Sequence, residues 1–90
     1  MNSDFDCEKY SEILKAIAHP IRLQMIAGIM ENECNVTEMV NKLGIPQSTV
    51  SQHLSILKSR GIIKPRKDGV KTCYQVVNKK ISEIVNILKK

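Results

Sequence analysis

Five of the six residues from Gln47 to Gln52 carry neutral side chains that can both donate and accept hydrogen bonds. A glutamine amide can bind adenine through two hydrogen bonds, and a serine hydroxyl can reach a base edge or a phosphate. No acidic residue lies between Ile45 and Ser59, so the segment would not repel phosphates. The chemistry that these residue types suit is recognition of nucleic-acid bases. The candidate base-contacting residues are Gln47, Ser48, Thr49, Ser51 and Gln52.

A helix would present these side chains on one face, and the apolar residues of the segment have helical spacing. Val50, Leu54 and Leu57 would form its buried stripe, opposite the polar face. Ile45-Pro46 is expected to begin the helix, with proline at its first position, and Gly61 to end it. A solvent-facing helix of an unrelated bundle is the alternative. Such helices usually carry glutamate, which this one lacks, so DNA recognition is favoured.

His53 lies at the edge of the predicted buried stripe, three residues after Val50 and next to Leu54. An imidazole there can pack and hydrogen-bond within the protein, or it can contact a base. Its position favours the packed interpretation, and the residue also stays among the candidate DNA contacts. His19, which precedes Pro20, is expected to bridge two helices rather than to bind a metal.

Positive charge is concentrated in the second half of the chain. Residues 41–90 carry eleven basic and two acidic side chains, whereas residues 1–40 carry three basic and seven acidic ones. This segregation suits a polyanionic partner, and a solvated lysine-rich surface is the alternative. Six cations accompany the single acid Asp68: Lys58, Arg60, Lys64, Arg66, Lys67 and Lys71. The candidate phosphate contacts are Lys58, Arg66, Lys67 and Lys71.

The remaining elements are predicted from apolar spacing and capping residues. Helices are expected over about 4–18, from Pro20 to Met30, from Asn35 or Thr37 to Gly44, and from Lys79 to Lys90 with Asn78 as the cap. Asn35 followed by Glu38 fits a capping box. Strands are expected over 62–67 and 70–77 around a turn at Asp68-Gly69, with Pro65 at an edge or unpaired position. The predicted fold class is therefore mainly α with a small β-hairpin.

Length and composition limit the class of protein. Ninety residues make a single domain, residues 1–90. There is no run of about 18 apolar residues, and the acidic start MNSDFDCEKY does not resemble a secretory signal. A cytoplasmic protein without membrane contact is therefore expected. Three cysteines, an odd number, argue against a disulfide framework.

The sequence offers little support for catalysis. Cys34 and His19 could in principle supply a nucleophile and a base. A glycine-rich phosphate loop, an oxyanion-hole loop and paired acids are all missing from the sequence. We expect neither an enzyme nor a bound cofactor.

Two short helices joined by Gly44-Ile45-Pro46, the second followed by a basic hairpin, are the parts of a winged helix-turn-helix. With these parts the sequence resembles the ArsR/SmtB family of bacterial winged-helix repressors. The matching segments are LKAIAHPIRLQMI (Leu14 to Ile26), NVTEMVNKLGIPQSTVSQHLSILKSRGII (Asn35 to Ile63) and RKDGVKTCYQV (Arg66 to Val76). The resemblance implies homodimers that pair through the first and last helices, an imperfect inverted repeat in double-stranded DNA as the operator, and repression relieved by an inducer.

The last predicted helix agrees with pairing between subunits, because a small monomer has little left to cover its apolar stripe. That stripe consists of Ile81, Ile84, Val85, Ile87 and Leu88. A winged helix that docks an acidic protein through its basic patch is the alternative from another class. Protein-binding surfaces favour aromatic residues, and the chain has only three, which argues against this alternative.

The metal sites of the resembling family are not matched. Many members carry a Cys-Val-Cys-like box at the third helix, whereas Asn35 and Thr37 occupy those two positions here and Cys34 is displaced by one. Other members bind zinc through acids and histidines of the last helix, which offers only Glu83 here. Zinc needs four ligands, so no metal site is expected.

The cysteines are the candidate sensing residues. In relatives, N-terminal cysteines can meet those near the end of the second helix, so the resemblance implies a redox or persulfide switch at Cys7 and Cys34. Metal or metalloid sensing by the same cysteines and three incidental thiols are the alternatives. Cys73 is expected to lie far from Cys7 and to face away from Tyr74 and Val76.

Overall fold

The structure is a computed structural model that describes residues 4–90. Over these residues the elements are α1 (Cys7–Ile17), α2 (Pro20–Met30), α3 (Val36–Leu43), α4 (Gln47–Ser59), β1 (Ile63–Asp68), β2 (Lys71–Val76) and α5 (Lys79–Leu88). The two strands form an antiparallel sheet. The predicted fold class, mainly α with one β-hairpin, is confirmed.

Side-chain caps fix where the first two helices begin. The Asp6 carboxylate accepts a hydrogen bond from the Lys9 backbone N–H at 3.0 Å, so α1 begins at Cys7 and not near residue 4. Nδ1 of His19 accepts a hydrogen bond from the Ile21 backbone N–H at 3.1 Å, and Pro20 is the first helical residue, as predicted. His19 therefore connects α1 and α2 in the structural role that was expected.

The starts of α3 and α5 were also predicted from capping residues. The Asn35 side chain accepts from the Glu38 N–H at 2.9 Å, and Glu38 accepts from the Asn35 N–H at 3.4 Å, which confirms the capping box. Asn78 caps α5 by accepting a backbone N–H at 3.2 Å. Gly44 ends α3 with φ of +67°, a left-handed conformation that glycine adopts without strain.

The core is one cluster of buried aliphatic side chains to which every helix contributes. Helix α2 lies at its centre, with Ile26 completely buried. The buried residues of α4 are the three that were predicted, Val50, Leu54 and Leu57. Burial of this stripe determines which face α4 turns to solvent.

The hairpin β1–β2, called the wing below, turns one residue later than predicted. Asp68 pairs with Lys71, so the two-residue turn is Gly69-Val70 and not Asp68-Gly69. Gly69 has φ of +67°, which a tight hairpin turn requires at this position and which glycine tolerates best.

Pro65 lies opposite Tyr74 in the wing. Its missing N–H costs no ladder bond, because Tyr74 turns its own N–H away from β1 and donates to the Cys34 carbonyl at 2.9 Å. Within residues 4–90, β1 pairs only with β2. The predicted edge position of Pro65 is confirmed.

The cysteines pair differently from the expectation. Cys34, in the loop before α3, forms a disulfide with Cys73 of β2, and their Cα atoms are 4.8 Å apart. Cys7 is a free, exposed thiol. The expected pairing of Cys7 with Cys34 does not occur, because the hydrogen bond from Tyr74 brings the loop alongside β2. The three cysteines thus give one bond and one free thiol.

Each helix of the described chain, taken singly, is too short or too polar to cross a membrane. Helices α1 and α2 together have the required length and composition, but the chain bends by 88° between them.

Candidate nucleic-acid interface

The polar face of α4 is open to solvent. Gln47, Ser48, Ser51 and Gln52 are exposed, and Thr49 is half-buried. Within residues 4–90, none of these five side chains makes a hydrogen bond. Their donors and acceptors therefore face water and are free to meet a ligand.

One further side chain belongs to this face. Ser55 is exposed, and it follows Ser48 and Gln52 at intervals of seven and three residues, so the three share one stripe of the helix. The spacing was visible in the sequence, but the predicted set ended at Gln52.

The N-terminus of α4 differs from those of the other helices. Pro46 precedes it in an extended conformation, with ψ of 150°, so the proline is the N-cap and not the first helical residue that was predicted. No side chain caps the helix, and no acidic residue lies in its first turn. The first backbone N–H groups, those of Gln47 and Ser48, therefore keep the positive end of the helix dipole available to an anion.

His53 is packed, as the favoured interpretation predicted. Its Nδ1 lies 3.2 Å from Nη1 of Arg22, and its ring centroid lies 4.8 Å from that of His19. Because an arginine can only donate, Nδ1 must accept, so the neutral ring carries its proton on Nε2. Partial burial and then the nearby charges of His19 and Arg22 lower the pKa of His53 below its usual value of 6.5.

Arg22 is a residue that the sequence-based prediction missed. Its Nε donates to the Ala16 carbonyl at the end of α1, and its Nη1 donates to His53 of α4. It therefore ties α1, α2 and α4 together. The sequence did contain a signal for this role, because Arg22 is the only charged residue in the helix PIRLQMIAGIM.

The wing and the end of α4 present the predicted cations to solvent. The exposed ones are Lys58, Lys64, Arg66, Lys67 and Lys71. Arg60 is also exposed, but it pairs with Glu12 of α1 at 3.4 Å. Every residue of β1 after Ile63 is exposed, whereas β2 is buried at Cys73 and exposed only at Lys71. Uncharged donors and acceptors on α4 are thus combined with a cationic hairpin, which is the arrangement expected of a DNA-binding surface.

A second exposed surface is apolar and lies on α1 and α5. Ile87 and Leu88 at the end of α5 are 66% and 62% exposed, and Leu14 of α1 is 47% exposed. Leu14 also lines a groove of about 210 Å³ together with Tyr10 and Ile84. Exposed aliphatic side chains that are grouped in this way mark a surface for association.

Residues 4–90 contain no group of three or more histidine, cysteine or acidic side chains close enough to hold a metal ion. Cys34, which the metal alternative requires as a thiolate, is engaged in the bond to Cys73.

Comparison with known proteins identifies the family. The sequence profile of "Bacterial regulatory protein, arsR family" matches residues 19–64. An uncharacterized helix-turn-helix transcriptional regulator of Methanocaldococcus jannaschii is 39% identical over 82 residues, which cover 90% of this chain and 92% of the relative. The transcriptional repressor PagR of Bacillus anthracis is 35% identical, and its crystal structure superposes with a TM-score of 0.80 over 90% of this chain and 93% of that chain.

The fold comparison extends to more distant proteins. A homodimeric winged helix-turn-helix DNA-binding domain from Mycobacterium bovis superposes with a TM-score of 0.80 over 91% of this chain and 76% of that one, at 23% identity. The arrangement of α3, α4 and the wing is therefore that of a winged helix-turn-helix. By sequence and by structure, this chain belongs to the ArsR/SmtB family of bacterial transcriptional regulators.

Proposed function

We propose that this protein is a sequence-specific, DNA-binding transcriptional repressor. The observation that carries the proposal is the exposed face of α4, whose amides and hydroxyls have no partner within the described chain and are followed by a cationic wing. PagR, a relative at 35% identity, is a transcriptional repressor. The protein would act in the cytoplasm, where its operator is accessible.

The two kinds of contact have different roles. Helix α4 lies in the major groove, where Gln47, Ser51 and Gln52 hydrogen-bond base edges. Ser48 and Thr49 in the first turn approach a phosphate together with the free N–H groups of the helix. The cations that contact phosphates, which position the protein without choosing a sequence, are Lys58, Arg66, Lys67 and Lys71.

Two copies of the chain bind one operator. The apolar surface of α1 and α5 pairs with its counterpart, which buries Leu14, Ile87 and Leu88. A two-fold axis then sets two α4 helices about 34–36 Å apart, one turn of DNA, and an imperfect inverted repeat matches that symmetry.

In this proposal the inducer acts on cysteine thiols. The observation that favours a thiol-based inducer is the disulfide between Cys34 and Cys73. Oxidation of Cys34 and Cys73 releases two protons and two electrons, which a peroxide or a small disulfide accepts. The bond joins the loop just before α3 to β2 of the wing. It replaces the expected switch at Cys7 and Cys34, and it removes Cys34 from any thiolate set for a metal or metalloid.

The test is binding to DNA selected by the protein from a random duplex pool. We expect the selected sequences to contain an inverted repeat, and Gln52→Ala to lose about 1–3 kcal/mol of discrimination at one base pair. The matched control, Lys71→Ala, should weaken all sequences alike and reduce the salt slope by about one.

Selection of no sequence over random DNA would sink the proposal. Together with tight capture of an acidic protein, that result would favour the protein-interaction alternative instead.

A further inference from the structure

The two sulfurs of the disulfide between Cys34 and Cys73 have different electrostatic surroundings. Arg66 lies directly opposite Cys73 in the wing, and its Nη2 donates to Sγ of Cys73 at 3.5 Å. In the described part of the chain, Sγ of Cys34 has no such cation within hydrogen-bond distance, and its neighbour Glu33 is an acid that pairs with Lys42. A guanidinium beside a sulfur stabilises the thiolate form of that sulfur. Negative charge is therefore better accommodated on Cys73 than on Cys34.

The two cysteines also differ in how easily a reagent reaches them. Cys73 is buried in β2, with 6% of its surface exposed, whereas Cys34 is half-buried in the loop before α3. In thiol–disulfide exchange a thiolate attacks the accessible sulfur, and the sulfur that better carries negative charge leaves faster. Access and charge favour the same outcome here, which is attack at Cys34 and departure of Cys73.

We propose that small thiols attack Cys34 and expel Cys73 as a thiolate that Arg66 stabilises, which makes Cys34 a site of thiolation. The new bond joins the reagent sulfur to Sγ of Cys34, and the electron pair of the broken bond stays on Sγ of Cys73. A second reagent thiolate then releases Cys34, so that two reagent thiols become one disulfide and supply the two protons of the protein thiols. The Tyr74 carbonyl, 3.7 Å from Sγ of Cys73, can accept the S–H of that thiol.

Arg66 also couples this reaction to DNA, a part of the inference that rests on the proposed function and specifies its regulation. The Arg66 side chain is exposed and is one of the proposed phosphate contacts. A phosphate that accepts a hydrogen bond from the guanidinium offsets its charge and brings a negative charge close to Cys73. The thiolate is then a poorer leaving group, so the DNA-bound protein is reduced more slowly than the free protein.

The first experiment identifies the sulfur that is attacked. Oxidised protein in a Cys7→Ser background, which removes the free thiol, is mixed briefly with 2-mercaptoethanol, an uncharged small thiol. Acid stops the exchange, N-ethylmaleimide labels the thiols that have formed, and mass spectrometry of peptides locates both groups. We expect mercaptoethanol on Cys34 and maleimide on Cys73. Mercaptoethanol on Cys73, or equally on both cysteines, would overturn the proposed direction of attack.

The second experiment measures the rate of reduction in two matched variants of the same background. Arg66→Gln removes the cation beside Cys73 and should slow reduction by about three- to tenfold in the absence of DNA. Lys67→Gln loses the same charge and another proposed phosphate contact, but it lies opposite Thr72 and on the other face of β1. Its rate should stay within about twofold of the parent rate. An unchanged rate in Arg66→Gln would overturn the role of its guanidinium.

The same rates are then measured with the selected duplex at concentrations that saturate each protein. DNA should slow reduction of the parent and of Lys67→Gln by about three- to tenfold, and of Arg66→Gln by less than about twofold. Equal slowing of all three proteins would show that DNA merely covers the bond, and no slowing of the parent would show that Arg66 does not transmit DNA binding. Either result would overturn the coupling.

Failure of this inference is distinguishable from failure of the proposed function. If the protein selects no DNA sequence, the proposed function fails and the coupling fails with it. The adduct on Cys34 and the slower reduction of Arg66→Gln are measured without DNA, so they decide the direction of attack in either case. Three free thiols in the wild-type protein before any reductant is added would overturn the whole inference.

Discussion

Arg22 and His53 form a side-chain contact between α4 and the end of α1. The arginine donates to the Ala16 carbonyl and to Nδ1 of His53, which is free to accept only while the ring is neutral. A protonated His53 would place a second positive charge 3.2 Å from the guanidinium. The protonation state of one residue on α4 is therefore coupled to the position of that helix.

This coupling predicts a pH dependence of stability. Because the pKa of His53 is lowered in the folded protein, the unfolded chain binds more protons between that pKa and about 6.5. The contribution of His53 should be complete above pH about 6.5 and should be lost as the pH falls from there through the lowered pKa. Urea unfolding of the wild type and of His53→Asn, which keeps an acceptor for Arg22, should show this difference.

The difference in unfolding free energy between the two proteins is the relevant quantity, since it cancels the titration of other groups. It should shift in favour of the variant between pH 7.5 and pH 5. Two parallel pH profiles would show that the ring titrates without consequence for folding.

At the scale of elements, the disulfide links two parts of the structure that belong to different motifs. Cys34 precedes α3, the first helix of the helix-turn-helix, and Cys73 lies in the middle of β2, so the bond fixes the wing relative to that helix. The backbone bond from Tyr74 to the Cys34 carbonyl makes the same connection without a covalent link. Reduction should therefore loosen the wing but not detach it.

We expect reduction to lower the free energy of unfolding by up to about 4 kcal/mol, the chain-entropy value for a loop of 39 residues. If the bond acts as the switch, reduction should also change the affinity for the selected DNA by about 5–150-fold. Urea unfolding and DNA titration with and without reductant measure the two effects.

Variants separate the roles of the three cysteines. A Cys34→Ser/Cys73→Ser double variant should lose both responses to reductant, whereas Cys7→Ser should keep them. Titration of thiols in the unfolded, unreduced protein should find one thiol, Cys7. A count of three would show that the disulfide does not form in solution.

The elements were largely predictable because their signals are local. The capping box at Asn35 and Glu38, proline at the start of α2, and the buried stripe of α4 each depend on residues within one or two turns. The hairpin turn lies one residue later than predicted. Glycine at either position of a two-residue turn can supply the positive φ that the turn needs, so the sequence did not fix which pair of residues forms it.

The disulfide and the Arg22 contacts were not predictable in this way. Cys34 and Cys73 are 39 residues apart, and Arg22 and His53 are 31 apart. Such contacts depend on how the helices pack, which spacing along one element does not encode. Cys7 was expected as the partner of Cys34 because of the family resemblance, whereas in this chain Cys34 pairs with Cys73.

At the scale of the whole molecule, the apolar surface of α1 and α5 should decide whether the protein binds DNA as a pair. Leu88→Asp places a charge on this surface, at a residue that is 62% exposed and so contributes little to the core. We expect it to convert the proposed dimer into a monomer in equilibrium sedimentation. Affinity for a full inverted repeat should fall by about 100-fold, because the second half-site no longer adds avidity.

Binding to a single half-site and thermal unfolding of the monomer should change little in Leu88→Asp. Val70→Asp, at an exposed apolar residue in the turn of the wing, is the control and should remain dimeric. A Leu88→Asp protein that still sediments as a dimer would place the subunit contact elsewhere.

Pro65 has a consequence for how crowded copies of this protein behave. A two-stranded ribbon has two open edges that can recruit a neighbouring strand and so begin aggregation. On the β1 side the proline supplies no donor and is surrounded by lysine and arginine, which repel another wing; on the β2 side the loop before α3 already takes the Tyr74 N–H. Many molecules crowded along one DNA should therefore polymerise poorly through their hairpins, and self-association is left to the helices.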